Sequence, residues 1–256
     1  MKVREIYAHL NEKIPPSLSC SWDNDGLMCC PDLDREVRRV LVALDITGRV
    51  IDAAIEGKYD LVISHHPLIF VPLKAVTPMD FTANKVVRLL CAGISAMSFH
   101  TRLDAVAGGV NDTLAEALGL AEVRPFGPEG EQIGRIGVLP APVSLDEFAA
   151  TVRRVTEAKA VRVADGGRPV HHVAVLGGGG ADEVGAAMAA GADTYLTGEF
   201  KHHNLTDAPD LGINLIEGGH FHTENPVCRR IEEMLRELDP TVTVDLMISD
   251  AVRILG

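Results

Sequence analysis

The stretch of sequence that decides the fold runs from RVLVALDIT at residues 39–47 to LVISHHP at residues 61–67. Both are short apolar runs rich in Val, Leu and Ile, which is typical of strands buried on both faces of a sheet. Residues 48–57 between them are expected to form a helix, and a strand–helix–strand series predicts two parallel strands in one sheet. The second strand ends directly on His65 and His66, which places two imidazole side chains at the edge of the predicted sheet.

The same alternation continues along the chain. A helix is expected at residues 80–92, and a third strand follows it at 93–99. Residues 171–180 are expected to contain a strand and a glycine turn, and further strands are expected at 194–199 and 213–218. We therefore predict an α/β fold made of two related three-layer α/β domains with largely parallel sheets.

A cluster of turn-forming residues at 125–130 separates the two series of elements. We expect the first domain to comprise residues 1–125 plus 220–256 and to carry most of the candidate metal ligands. Residues 126–219 are expected to form the second domain. The two halves are similar in design, although no clear sequence repeat relates them.

Composition argues against several classes of protein. The chain has 256 residues, of which 46% are apolar and 4% aromatic, which is enough for a core built mainly from aliphatic side chains. The net charge of −12, with no block of Lys and Arg, argues against binding to duplex nucleic acid. No apolar run approaches the ~18 residues of a membrane span. The five cysteines are expected to be reduced thiols, and the protein is predicted to be cytoplasmic.

Side chains of the kinds that bind metals follow the predicted strands in four short blocks. These residues are His65 and His66 in LVISHHP, His100 and Asp104 in FHTRLD, Glu199 in YLTGEF, and His220 and Glu224 in GHFHTE. Open α/β sheets place their sites at strand ends, so the blocks are expected to contribute to one site. Imidazole and carboxylate together suit a divalent ion such as zinc, iron, manganese or nickel. The sequence therefore predicts a metal-binding protein.

Some of the polar residues have more than one interpretation. His100 is compatible with a metal ligand, a proton donor or a hydrogen-bond donor to a bound anion. Glu199, with His202 and His203 in GEFKHHN, is expected to contact substrate or to support the ligands rather than to bind metal directly. The histidine pair at 171–172 precedes its strand, which favours a structural role.

Two polar segments are expected to be turns. The glycines at 177–180 follow a strand, but Asp182 stands where a G-x-G-x-x-G motif has its third glycine, so a flexible strand-to-helix turn is favoured over an anion-binding loop. Pro226 predicts that the last long helix begins just after GHFHTE. His220 and Glu224 are therefore expected in a tight turn, in positions from which both can face one point.

Taken in order, the blocks SWDNDGL, ALDIT, SHHPLIF, FHTRLDAVAGGVND, TGEFKHH and GGHFHTE resemble those of the NIF-three-like family, also called GTP cyclohydrolase I type 2 homologues. The resemblance covers almost the whole chain. It implies two α/β domains, a dinuclear metal centre and a homohexameric toroid. The ligands that it implies are His65, His66, Asp104, His220 and Glu224. Members usually carry a small or apolar residue where this chain has His222.

This resemblance implies a metal-dependent hydrolase that holds two divalent ions per chain and acts on a nucleotide or another small phosphorylated molecule. A metal-activated water would attack the substrate, and His100 or His222 would transfer the proton. A protein that stores, senses or delivers divalent metal without catalysis is the alternative. A third interpretation is a scaffold in which metal only stabilises the oligomer.

Overall fold

The computed structural model describes residues 1–128 and 130–254. The helices are α1 (Val3–Lys13), α2 (Gly48–Glu56), α3 (Phe81–Cys91), α4 (Thr101–Ala105), α5 (Val110–Ala117), α6 (Leu145–Thr156), α7 (Val184–Ala189), α8 (His202–Leu211), α9 (His220–Glu224) and α10 (Val227–Leu238). The strands are β1 (Gly26–Cys29), β2 (Arg39–Ala43), β3 (Leu61–Ser64), β4 (Ser95–Ser98), β5 (Ala121–Phe126), β6 (Gly134–Val143), β7 (Arg162–Ala164), β8 (Val170–Leu176), β9 (Thr194–Thr197), β10 (Asn214–Glu217) and β11 (Thr243–Met247).

The described chain packs as two compact units whose limits differ from those expected from the sequence. Unit 1 comprises Met1–Val106 and Val227–Ala251, and unit 2 is built on Ala107–Pro226. The first boundary lies earlier than residue 125 because α5 packs on β6 and β8, and because β5 pairs with β6. The second boundary lies after α9, so His220 and Glu224 belong to unit 2 rather than to the first domain.

Unit 1 contains a five-stranded sheet in the order β1-β4-β3-β2-β11. Three of its four strand pairings are parallel, and only the pairing of β1 with β4 is antiparallel. Side-chain caps begin the covering helices, since Thr47 accepts a hydrogen bond from Val50 N–H and Asp80 accepts one from Ala83 N–H. Because β2, β3 and β4 run in one direction, the residues that follow them lie along one edge of the sheet.

Unit 2 contains a six-stranded sheet in the order β5-β6-β8-β9-β10-β7. Parallel pairing is confined to β8, β9 and β10, and the outer strands pair antiparallel. The α/β fold is confirmed, but this second sheet is mixed where largely parallel pairing was expected. The central strands β8 and β9 end on glycine-containing turns at residues 177–180 and at Gly198. Glu199 follows the second of these turns, and the first packs against α9.

Two further properties of the chain concern its helices and its cysteines. No helix in residues 1–128 or 130–254 has the length and apolar character needed to cross a membrane. Within the described residues no cysteine forms a disulfide; Cys20, Cys29 and Cys228 are buried, whereas Cys91 is exposed. Burial raises the pKa of the Cys29 thiol to about 11, so this side chain remains protonated near neutral pH.

Candidate metal-binding site

The first group of candidate ligands lies at the carboxyl ends of two adjacent strands in unit 1. His65 and His66 follow β3, and His100 follows β4 just before α4. One ligand atom from each of these three histidines lies within 4.8 Å of those of the other two. Asp104 reaches the same place from α4, with its Oδ1 3.6 Å from His65 Nε2. The predicted convergence of the SHHP and HTRLD blocks is therefore observed within one unit.

Hydrogen bonds fix the orientation of the two imidazole rings that follow β3. His65 Nδ1 lies 2.9 Å from the carbonyl oxygen of Phe99, which can only accept, so Nδ1 carries the proton and donates it. His66 Nδ1 lies 2.8 Å from Asp45 Oδ1, which accepts in the same way. Nε2 of each ring is then the unprotonated nitrogen, which is the form that binds a metal.

A buried carboxylate holds the third imidazole of this group. His100 Nδ1 lies 2.8 Å from Asp23 Oδ1, and Asp23 Oδ2 accepts from the N–H and O–H of Thr101 at 3.0 and 2.6 Å. Burial would raise the pKa of Asp23, but the hydrogen bonds from His100 and Thr101 outweigh it and hold this pKa well below its usual range. Asp23 is therefore ionised and accepts from Nδ1, which leaves Nε2 of His100 as a base or a ligand.

The second group of candidate ligands lies in unit 2 on the short helix α9. His220 and Glu224 are one turn apart, and His220 Nε2 lies 3.2 Å from Glu224 Oε2. The expectation of a tight turn was wrong: Pro226 disfavours helix only at the residue before it, and α9 ends earlier, at Glu224. The other ring nitrogen of His220 lies 3.1 Å from Glu199 Oε1. Glu199 thus lies beside a candidate ligand, and its role as a supporting or substrate-contacting residue stays a prediction.

Two glycines allow the polypeptide backbone to approach this second group closely. Gly178 has φ +68°, and a Cβ there would overlap the Glu224 carboxylate and come 3.1 Å from His220 Nε2. A Cβ on Gly198 would overlap the carbonyl oxygen of Gly178 and the Cα of His220. The turn at 177–180 was expected to be flexible, but its Gly178 carbonyl accepts from Glu199 N–H at 3.1 Å. It is instead the packed surface against which the α9 side chains lie.

The remaining histidines named from the sequence lie elsewhere. His222 is half-buried on α9 beside Phe221, and no group of converging metal donors within the described residues includes it. His202 and His203 are exposed in the first turn of α8. The hydrogen bond from Lys201 lowers the pKa of nearby Asp182, and His203 contributes a smaller lowering.

Asp23 and Asp45 lie in the SWDNDGL and ALDIT segments, and no role was predicted for either from the sequence. Asp45 follows β2, the neighbour of β3, so its position at a strand end was a usable signal. Asp23 lies in an irregular segment before β1 and is 77 positions away from the histidine that it holds. Pattern within a short window carries no sign of such a pairing.

The HTRLD block also contains a buried arginine. Arg102 is 1% exposed, and its Nε donates to Asp25 Oδ2 at 3.0 Å. One terminal nitrogen donates to Asn11 Oδ1 at 2.7 Å and to the carbonyl oxygen of Ile14 at 3.0 Å. Asp25 also accepts from the backbone N–H of His100 at 3.2 Å. Arg102 and Asp25 therefore fasten the start of α4, which carries Asp104.

The donor chemistry of both groups fits a divalent transition metal. Imidazole nitrogens and carboxylate oxygens are the usual ligands of zinc, iron, manganese and nickel, at bond lengths of about 2.0–2.2 Å for zinc. An imidazole that binds metal through one nitrogen generally donates the other N–H to an oxygen, and four histidines here have an oxygen partner at Nδ1. Together, the fold and these donor groups define a two-unit α/β protein with a group of candidate metal ligands in each unit.

Comparison with known proteins identifies the family. The model of Duf34/NIF3 (NGG1p interacting factor 3) matches residues 1–253, so the chain belongs to the Duf34/NIF3 family. Two relatives, both named GTP cyclohydrolase 1 type 2 homolog, are a Clostridium perfringens protein, 32% identical over 93% of this chain and 92% of its own length, and a Nostoc protein, 35% identical over 93% of each. The crystal structure of a Bacillus cereus protein related to NIF3 has the same fold, with a TM-score of 0.86, 24% identity and coverage of 100% of this chain and 99% of that one.

Proposed function

We propose that this protein is a metal-dependent hydrolase that binds two divalent ions and acts on a nucleotide or another small phosphorylated substrate. The ligands in this proposal are His65, His66 and Asp104 of unit 1 with His220 and Glu224 of unit 2. The observation that carries it is the shared orientation of the histidines. In each ligand histidine an oxygen lies at Nδ1, which leaves Nε2 for the metal.

The hydrolytic part of the proposal follows from the chemistry of such ions. A divalent ion with an open coordination position lowers the pKa of a bound water toward neutrality and supplies a nucleophile. His100, with its Nδ1 held by ionised Asp23, presents Nε2 as an acceptor that can take a proton and later return it. The name of the relatives, GTP cyclohydrolase 1 type 2 homolog, supports a purine nucleotide as the first substrate to test.

Metal content tests the binding half of the proposal. Protein purified without added metal is analysed by elemental mass spectrometry as wild type, Glu224→Gln and His172→Ala. We expect near two transition-metal ions per chain in the wild type and in His172→Ala, and fewer in Glu224→Gln. Protein that contains no metal and takes up none from zinc, manganese or iron would overturn the proposal.

Turnover separates a hydrolase from the alternative of a metal-handling protein. Metal-loaded wild type and Asp104→Ala are assayed with GTP and with simple phosphate esters, and circular dichroism checks that both are folded. A hydrolase loses most of its turnover in Asp104→Ala, whereas a metal-handling protein exchanges metal with a chelator and turns over none of the substrates.

Two further expectations from the sequence stay predictions. The first is the homohexamer, and light scattering before and after metal removal measures the oligomeric state. If the metal-free protein keeps its oligomeric state, a purely scaffolding role for the metal is excluded. The cytoplasmic location is tested by fractionation of cells that express the protein.

A further inference from the structure

Three rings of unit 1 form a corner next to the first group of candidate ligands. The centroids of Trp22 and Phe70 are 6.3 Å apart, and each lies close to the His100 ring, at 6.2 and 6.0 Å respectively. The three interplanar angles are 71°, 78° and 88°, so the three ring planes are nearly perpendicular to one another. A flat ring that stacks on any one of them therefore presents its edge or its face to the other two.

The two carbon-rich rings of this corner are open to solvent. Trp22 is 55% exposed and Phe70 is 48% exposed, although each carries a large apolar surface that gains free energy when it is covered. Polar contacts hold the corner in place. Asn24 donates a side-chain hydrogen bond to the carbonyl oxygen of Ile69, which fixes the backbone just before Phe70.

Each of the three consecutive residues Trp22, Asp23 and Asn24 therefore makes a different contact near this corner. Trp22 supplies one exposed ring, Asp23 orients His100, and Asn24 positions the chain that carries Phe70. His100 belongs both to this corner and to the donor group that it forms with the histidines after β3. A small molecule bound at the open side of those donors thus meets the exposed rings.

We propose that Trp22 and Phe70 bind the planar heteroaromatic ring of the substrate. This inference rests on the proposed function for the identity of the bound molecule, and it names the substrate class as a purine-like ring. Offset stacking on one ring and edge-to-face contact with the others are both favoured arrangements of aromatic groups. The ring would be held without a base-specific hydrogen bond from either residue, so these contacts select for a flat ring rather than for one particular base.

The chain provides its own reporter, because Trp22 is its single tryptophan. Zinc-loaded protein is titrated with guanosine 5′-monophosphate and, separately, with ribose 5-phosphate, while tryptophan emission is recorded. Zinc has no redox activity and is a suitable metal for this purpose. N-acetyltryptophanamide in the same solutions corrects for absorption by the base. We expect saturable quenching by the nucleotide and none by the sugar phosphate.

Matched variants locate the contact. Phe70→Ala should weaken nucleotide binding roughly tenfold or more, and Phe70→Tyr should restore it, because the aromatic face is what the ring contacts. Phe81→Ala removes another exposed phenyl ring of the same unit and should leave binding unchanged. Circular dichroism of each variant shows that a loss of binding is not a loss of folding.

The outcomes separate this inference from the proposed function. Protein that contains metal but shows no ring-dependent quenching, or binds equally well as Phe70→Ala, overturns the aromatic contact and leaves the metal centre standing. Protein that contains no metal but still shows quenching that Phe70→Ala abolishes supports the contact and overturns the hydrolase. Quenching by the nucleotide and by ribose 5-phosphate to the same extent overturns the inference, since the ring would then contribute nothing.

Discussion

The dipeptide His-His occurs at residues 65–66, after the end of one strand, and at residues 171–172, near the start of another. The first pair follows β3, whose four residues are all buried, and it joins His100 at the carboxyl edge of the sheet. The second pair lies inside β8 near its start, not before the strand as expected, and its two rings pack edge to face with centroids 4.7 Å apart. Among the residues that the structure describes, donor groups converge at the first pair and not at the second, because neighbouring parallel strands end beside the first pair and deliver further polar residues to the same edge.

The carboxylates beside the two histidine pairs, Asp45 and Asp193, accept hydrogen bonds from different groups. Asp45 accepts from the ring of His66 at 2.8 Å and so directs an imidazole. Asp193 accepts from the backbone N–H groups of both histidines of the second pair, at 3.1 and 2.7 Å, while the ring of His172 stays 3.6 Å away. The first carboxylate orients a candidate ligand, whereas the second completes the hydrogen bonding of a strand. Identical dipeptides are thus distinguished by what their acidic neighbours hold.

Removal of one ring from each pair should give the largest contrast. His66→Ala is expected to weaken metal binding by more than about 100-fold, since the loss of a direct ligand exceeds the effect of losing a supporting group. His172→Ala removes a half-exposed ring and should leave metal binding unchanged. Competition with a fluorescent chelator measures both affinities. Equal losses in the two variants would mean that strand-end position does not distinguish the pairs.

The two carboxylates should separate metal binding from stability. Asp45→Asn is expected to weaken metal binding about 10- to 100-fold, because the His66 ring loses its charged acceptor. Asp193→Asn should leave metal binding intact but lower the free energy of unfolding by about 1–3 kcal/mol, because a buried backbone N–H loses its acceptor. Chelator competition and urea unfolding are run on both variants. The distinction fails if Asp45→Asn changes only the unfolding free energy.

The other end of β8 sharpens the same comparison, because this strand begins with the structural pair and ends on the glycines that approach His220 and Glu224. Gly178→Ala should lower the free energy of unfolding by about 1–2 kcal/mol, since a side chain at positive φ is strained. It should also weaken metal binding by displacing the Glu224 carboxylate.

Gly179→Ala is the matched control, because a Cβ there meets no atom within 4 Å. It should change the free energy of unfolding by less than about 0.5 kcal/mol. Urea unfolding with and without metal measures both variants. If the two alanine substitutions have the same effect, the close approach at Gly178 has no role in holding Glu224.

Asp245 is a carboxylate that accepts no hydrogen bond from a histidine in the bonds described above, and it serves as the reference for the effects of Asp45 and Asp193. Asp245 accepts from the Tyr59 hydroxyl at 2.7 Å and from Arg39 at 3.0 Å, and the Tyr59 hydrogen bond is the main cause that keeps its pKa below the usual value. Since the folded pKa is the lower one, the stabilisation is present above about pH 4 and is lost as the pH falls through the folded value.

Because the Asp245 side chain is 43% exposed and its ion pair is screened by solvent, Asp245→Asn should cost less than about 1 kcal/mol at neutral pH, and this cost should vanish in acid. Urea unfolding at several pH values tests the sign. A cost that grows on acidification would contradict the assignment, and an altered metal affinity would show that Asp245 is an unsuitable baseline.

Much of unit 1 was predictable because its central strands are buried on both faces. Such strands are continuous apolar runs, so β2 and β3 stood out in the sequence, and the polar residues that follow them were obvious candidates. Direction was harder to predict in unit 2. The edge strand β5 is exposed over most of its length, and an exposed segment of this kind has the same composition whether it pairs parallel or antiparallel.

The supporting groups were harder to predict than the ligands themselves. Glu199 lies 21 positions from His220, and Asp23 is further still from His100, so neither pairing leaves a local pattern. The role of Gly178 depends on which side chain packs against its turn. Such features follow from the tertiary fold, whereas the candidate ligands could be found from strand ends alone.

The buried arginine of the HTRLD block has a consequence for the charge balance of the site. Arg102 lies two residues from both His100 and Asp104, yet its hydrogen bonds to Asp25, Asn11 and Ile14 commit it to the interior. Its positive charge is therefore paired with the carboxylate of Asp25 and is not available to attract a substrate phosphate. The carboxylates of the donor groups would repel such a phosphate, so bound metal ions would have to provide the attraction. Metal loading would then govern whether an anionic substrate can enter at all.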